Sequence, residues 1–175
     1  ESHYLESWGD HRAGDGTMAH QCLAWLAQAC LLENFLTTHN DWRGGPVTMS
    51  QGPIFQIESN MGFVSAVQEM LFTSRVGVLK LLPALPAQWN SGTVKGMRAR
   101  GGVALHELEW TEGGREIRAT IEAQQSGSLR IVLPSLVQAA SLNTEAIDSI
   151  KDRAFSVNIP AGARVRLNIR LAPVQ

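Results

Sequence analysis

Leu79-Lys80-Leu81-Leu82-Pro83-Ala84-Leu85-Pro86 divides the chain into two regions of different hydrophobic period, and that division decides the fold. The stretch is apolar and carries two prolines, which fix their own φ and bias the preceding residues to extended backbone. It reads as a short strand or extended connector. Downstream, apolar residues recur every second position, as in strands with one buried face. Upstream they recur at helical spacing.

On the downstream side, Thr93 to Arg100 alternates, Arg100-Gly101-Gly102 turns, and Val103 and Leu105 then share one face. Leu108 and Trp110 fall in the opposite parity, so a β-bulge is expected near His106-Glu107. Glu112-Gly113-Gly114-Arg115 reads as a hairpin turn. Ile117, Ala119 and Ile121 continue the pattern, as do Leu129, Ile131 and Leu133 after Ser126-Gly127-Ser128. Two further strands, Phe155 to Ile159 and Val165 to Leu171, flank Pro160-Ala161-Gly162. Strands at this spacing with Gly-rich turns predict an antiparallel β-sandwich.

On the upstream side, Tyr4, Leu5 and Trp8 form a short stripe that stops at Gly14-Asp15-Gly16. Asp15 or Thr17 is placed to cap a helix over about 17–36. Its Met18, Cys22, Trp25, Leu26, Ala29, Cys30 and Leu32 make it apolar over most of its circumference, so it requires burial on several sides. A segment this short does not supply that cover, and partner helices are expected to be missing. The opening Glu1-Ser2-His3-Tyr4-Leu5 has no initiator Met and no cap, which predicts a piece of a longer protein. Residues 37–56, with Gly44-Gly45-Pro46 and Gly52-Pro53, form a long loop. Met61, Val64, Val67, Met70 and Leu71 then predict a helix over about 60–74. Helices first and strands second imply two folding units, an α+β arrangement divided into residues 1–78 and 79–175.

The totals exclude several classes of function. The 175 residues are 44% hydrophobic and 18% charged with a net charge of −1, which is ordinary globular composition. Nucleic acid and anionic membrane are not expected partners, because phosphate binding needs clustered positive charge. The longest apolar stretch, Cys22 to Leu32, is about half the ~20 residues that span a bilayer. Cys22 and Cys30 lie roughly 12 Å apart along one helix, too far for a mutual disulfide, and read as reduced core residues. The sequence leaves the cellular compartment open.

Chemistry concentrates in one place. Arg98-Ala99-Arg100-Gly101-Gly102 lies between strands and not before a helix, so a phosphate cradle fails its structural test. The five histidines form no metal-binding spacing, so neither a metal nor a cofactor is expected. What remains is His39 to Glu69. His39-Asn40-Asp41-Trp42-Arg43 sets polar groups beside a large aromatic at one end of the long loop, and Glu58 and Asn60 follow at the other. One reading makes Glu58, Ser59 or Asn60 a helix cap. The other has a carboxylate and an amide converge beside Trp42 in a sugar site, since glycoside hydrolysis needs paired carboxyl-type groups.

Four motifs in order add to this: Phe55-Gln56-Ile57-Glu58-Ser59-Asn60-Met61-Gly62, Ala66-Val67-Gln68-Glu69-Met70-Leu71, Leu81-Leu82-Pro83-Ala84-Leu85-Pro86, and Gly92 to Gly102. Their order and spacing, from about residue 8 to Trp110, resemble the C-terminal part of glycoside hydrolase family 95. That family holds inverting α-L-fucosidases and related α-L-galactosidases. The resemblance implies that the helices are the last of an (α/α)6 barrel and that the strands form the terminal β-sandwich. It further implies an oligosaccharide substrate, with Glu58 as the catalytic carboxylate and Asn60, His39 and Trp42 lining the sugar site. In the family an Asp polarises water through asparagines while a Glu protonates the leaving group. That Asp sits in the run Phe-Gln-Ile-Asp-Gly-Asn-Phe-Gly, so Glu58, Ser59 and Met61 replace its Asp, Gly and Phe. The acid and the water-holding asparagines would lie in an upstream barrel segment or partner chain, without which this chain is expected to be inactive. Two alternatives stand beside this reading. One is a non-catalytic carbohydrate-binding or interaction module; the other is a related inverting phosphorylase using Arg98 and Arg100.

Overall fold

A computed structural model describes residues 15–39, 41 and 54–173. The stripe Tyr4, Leu5 and Trp8, the loop motifs Gly44-Gly45-Pro46 and Gly52-Pro53, and Trp42 lie outside the described residues. Helix α1 spans Gly16–Cys30 and α2 spans Ile57–Leu71. Asp15 caps α1 as its sequence position suggests, its Oδ1 accepting from Met18 N at 2.9 Å. The helix stops six residues short of the expected end. Leu31 turns extended, and Thr38 satisfies the Cys30 carbonyl with its backbone N–H at 2.8 Å and its hydroxyl at 3.2 Å. Cys22 and Cys30 are buried, as expected of core residues.

Helix α2 begins and ends about three residues earlier than expected. Its end is abrupt, for Phe72 adopts φ −158°, ψ 149° and the chain passes straight from helix to strand. Strands β1 (Phe72–Arg75) and β2 (Val78–Leu81) form a hairpin. There follow β3 (Gly92–Ala99), β4 (Val103–Thr111), β5 (Glu116–Ala123), β6 (Gly127–Val132), β7 (Val137–Leu142), β8 (Glu145–Ala146), β9 (Ala154–Ile159) and β10 (Arg164–Leu171). They build two sheets, ordered β1-β2-β6-β9 and β3-β4-β5-β10-β7-β8. The predicted sandwich is present, with one departure: β2 and β6 pair parallel. The long connection between them runs through the β3-β4-β5 meander of the other sheet, which leaves room to return in the same direction.

The core lies between the sheets. Leu105, Leu108, Ile117, Ile121, Leu167 and Ile169 of one face meet Leu79, Leu81, Ile131, Phe155 and Ile159 of the other, all almost fully buried. The parity change on β4 is resolved where the sequence placed it: the β4–β5 register shifts between Leu105 and Glu107, with His106 the extra residue. Gly101 and Gly102 hold φ of 81° and 73° in the β3–β4 turn, so the glycine loop is a hairpin connection.

Residues 82–89 join the helices to the sandwich. Leu82 N donates to Leu71 O at 2.7 Å and Ala84 N to Met70 O at 3.2 Å. Ala84 is buried with Ala19, Leu23, Ala66 and Met70, and Trp89 packs on this cluster, its ring meeting His20 edge-on at 5.9 Å. Gly16 touches this joint so closely that an added Cβ would lie 2.4 Å from Ala84 O.

Candidate functional site

The ends of the 37–56 loop are tied to one another and to both helices. Leu31 bridges Thr37 and Thr38 bridges Phe55 in antiparallel fashion. His39 N donates to Ile54 O at 2.6 Å, and Gln56 N to Thr37 O at 3.0 Å. Asn60, in the first turn of α2, fastens this assembly. Its Oδ1 accepts from Thr37 N at 3.1 Å, and its Nδ2 donates to Phe35 O. The Thr37 hydroxyl lies 2.6 Å from Gln56 O and 2.8 Å from Asn60 Oδ1, sharing its one proton between them.

The fold therefore brings Asn60 and the His39 segment together through Thr37. His39 is half-buried, and its Nδ1 is enclosed without a hydrogen-bond partner. Glu58 leaves the same helical turn about 200° around the axis from Asn60, at 3.6 residues per turn, and is exposed. The described residues thus do not join the Glu58 carboxylate to the Asn60 amide. Gln56 is the N-cap, without a side-chain capping bond, and Ser59 Oγ donates to Gln56 Oε1 at 3.0 Å. None of Glu58, Ser59 and Asn60 is the cap, so that reading of the three is corrected: the helix starts earlier, which places them inside it.

The surroundings of Glu58 are unusual for a solvated helix. Ile57, Met61 and Val64, at helical spacing, are 62%, 68% and 67% exposed; Ile54 and Phe55 are exposed just before them in the chain, as is Phe35, whose carbonyl Asn60 holds. Exposed apolar residues grouped in this way mark an interaction surface or an aggregation liability.

A concavity lies on the outward face of the six-stranded sheet, away from Arg98 and Arg100, the basic pair that the sequence offers. Arg98 is exposed on β3 and Arg100 N is held by Ser74 Oγ at 3.0 Å in the following turn. The groove, of about 190 Å³, is lined by Glu107, Glu109, Arg118, Thr120, Arg166 and Asn168. Lys95 Nζ meets Glu107 at 2.9 Å, which holds the Glu107 carboxyl below its ordinary value and raises the lysine above its own. Arg118 meets Glu109 at 3.4 Å. Two residues beyond Thr120 on β5, Glu122 lies 2.9 Å from the His106 ring nitrogen and 3.6 Å from Arg164; the His106 hydrogen bond is the main cause of its lowered carboxyl. The signal for this groove in the sequence is the run of Arg, Glu, Thr and Asn at the outward positions of three strands.

Residues 73–167 match the sequence profile described as glycoside hydrolase family 95, C-terminal domain. An alpha-L-fucosidase 2 from Arabidopsis thaliana is 46% identical over 91 residues, which is 51% of this chain and 11% of that protein. A probable alpha-fucosidase A from Aspergillus oryzae is 35% identical over 88 residues, covering 45% of this chain and 12% of the relative. The chain thus spans about a tenth of the length of these relatives. A solved structure of a GH127 beta-L-arabinofuranosidase from Geobacillus stearothermophilus T6 covers 66% of this chain and 19% of its own, at 13% identity and a TM-score of 0.40, a likeness on which no argument rests.

Proposed function

The chain belongs to glycoside hydrolase family 95, and from that membership we propose that it is the C-terminal region of an inverting hydrolase of α-L-fucosyl or α-L-galactosyl linkages. Helices α1 and α2 would be the last of its (α/α)6 barrel, with the sandwich beginning at β1 and packing on them. Glu58 is assigned the role of polarising the attacking water. His39 and Trp42 are assigned to the sugar site, and Asn60 to shaping it through its hold on residues 35–37. The general acid belongs to the upstream part of the barrel, without which the chain is inactive.

The observation that carries this reading is the exposed stripe Ile57, Met61 and Val64 beside Glu58. Neighbouring barrel helices would bury that stripe and enclose the carboxylate, turning a solvated Glu into one held in a cleft. A glutamate in place of the family's aspartate sets the carboxyl about one bond further from the helix. A misplacement of ~1 Å costs about 10²-fold in rate, so the water must sit correspondingly further out.

The test is made on the protein carrying the complete barrel. Wild type is expected to release an α-linked L-fucose or L-galactose as the inverted anomer, followed by NMR. Glu58→Gln is expected to lose 10²-fold or more in kcat, the scale of a lost acid–base group. Unchanged turnover in that variant would remove Glu58 from the mechanism.

A further inference from the structure

The outward face of the six-stranded sheet carries two cross-strand rows fixed by the ladder. One runs Lys95, Glu107, Thr120, Arg166; the other runs Thr93, Glu109, Arg118, Asn168. Neighbouring strands are about 4.8 Å apart, so each row presents donors and acceptors at fixed intervals over the groove between them. Most cations of this face are neutralised. Lys95 takes Glu107, Arg118 takes Glu109, Arg164 takes Glu122, and Arg170 takes Glu116 at 2.8 Å. Arg166 lines the groove with no salt bridge within 4 Å among the described residues; its charge acts on Glu107 only as the weakest cause of that carboxyl's lowering, behind Lys95, and its backbone N–H donates to Asn143 Oδ1 at 2.9 Å. Asn168 is fixed beside it, Nδ2 donating to Ser141 Oγ at 3.2 Å and to Asn143 O at 3.3 Å, which leaves Oδ1 as an acceptor.

We propose that this groove is a binding site for an acidic sugar, with Arg166 taking the uronate carboxylate and Asn168, Thr120, Glu107 and Glu109 the ring hydroxyls. A guanidinium grips a carboxylate through two parallel N–H bonds, and the groove's paired charges leave one positive charge over for one negative ligand group. A simple inorganic anion would satisfy Arg166 but would have no use for the two glutamates, which can only accept. Hydroxyls supply donors for the acceptor sites that Lys95 and Arg118 leave open on those carboxylates. The choice of a sugar acid over any other polyhydroxy acid rests on the reading of the chain as part of a glycoside hydrolase. The site itself is far from Glu58 in the sequence and lies on the sandwich, so it would act in holding substrate or polymer and not in bond cleavage.

Isothermal titration of the chain with a trisaccharide of galacturonic acid tests this directly. Saturable binding is expected, weakened ~10-fold or more by Arg166→Ala, the scale of a lost charge-assisted hydrogen bond. The fully methyl-esterified trisaccharide should bind wild type as weakly as the acid binds the variant. Arg166→Lys keeps the charge without the fork and should fall between the two. Thermal melts of both variants establish that they fold. No saturable binding, equal affinity in Arg166→Ala, or acetate binding as tightly as the trisaccharide would each overturn the proposal. The measurement requires no turnover, so its failure leaves the assignment of Glu58 standing, and an inactive Glu58 leaves the groove standing.

Discussion

Trp110 couples the sandwich to the joint. Its indole Nε1 donates to Trp89 O at 2.8 Å, and Gly92 lies against its ring, where an added Cβ would come within 2.3 Å of Cζ2. Trp110→Phe removes the donor, leaves the Trp89 carbonyl unsatisfied and opens space beside Gly92. The expected cost is about 1–3 kcal/mol, seen as a melting temperature lower by roughly 2–4 °C per kcal/mol. Gly92→Ala should destabilise wild type but cost less in the Trp110→Phe background, because the two share one space. A double-mutant cycle by calorimetry reads that coupling, and strictly additive losses would deny the contact. Glu122 makes a different claim on acid behaviour. Its carboxyl is lowered first by the His106 hydrogen bond and then by His106 and Arg164 charge, so it contributes stability above the ordinary value of 4.5. That contribution is lost as the pH falls through the lowered value. Glu122→Gln should therefore melt below wild type at neutral pH and converge on it in acid. The gap is small because the pair is a third exposed and screened by solvent.

The elements show where period reading succeeds and where packing overrides it. The bulge at His106 was legible because a one-residue insertion flips every following side chain, so Leu105 and Leu108 betray it in parity alone. The end of α2 was not legible. Nothing in the stripe Met61, Val64, Val67, Met70 and Leu71 marks a stop, yet Phe72 is drawn into the sandwich core, and the backbone turns extended to deliver it there. Strands β7 and β8 were missed for a related reason. Val137-Gln138-Ala139-Ala140-Ser141-Leu142 has weak strand propensity and pairs only because β10 supplies a ladder beside it. The groove around Arg166 escaped notice because its residues are adjacent across strands and distant along the chain, whereas Glu58 and Asn60 are close in sequence but leave the helix on different sides. At the joint, the start of α1 approaches the Ala84 backbone too closely for any side chain. Gly16→Ala must push helix and connector apart, at an expected 1–3 kcal/mol of overpacking. A melting temperature unchanged by that substitution would mean that the helix does not seat on residues 84–85.

At the scale of the molecule, the described residues of the two halves bury their apolar side chains unequally. The sandwich closes a core from both sheets, while α1 and α2 share a small cluster with Ala84 and leave Met18, Trp25, Ile57, Met61 and Val64 in solvent. Ile57, Met61 and Val64 share one side of α2, and an exposed apolar stripe marks an interaction site or an aggregation liability. If it is the seat of further barrel helices, polar substitutions there must have opposite consequences in two contexts. In the chain alone, Met61→Gln with Val64→Lys should change the melting temperature little, as exposed substitutions generally stay within about 0.5 kcal/mol, and should reduce self-association seen by light scattering. In a protein with the complete barrel the same pair would bury an amide and a charge without partners, at a cost of several kcal/mol, with loss of turnover. Equal tolerance in both contexts would mean that the stripe faces water in the longer protein too, and Glu58 would then lie outside any cleft.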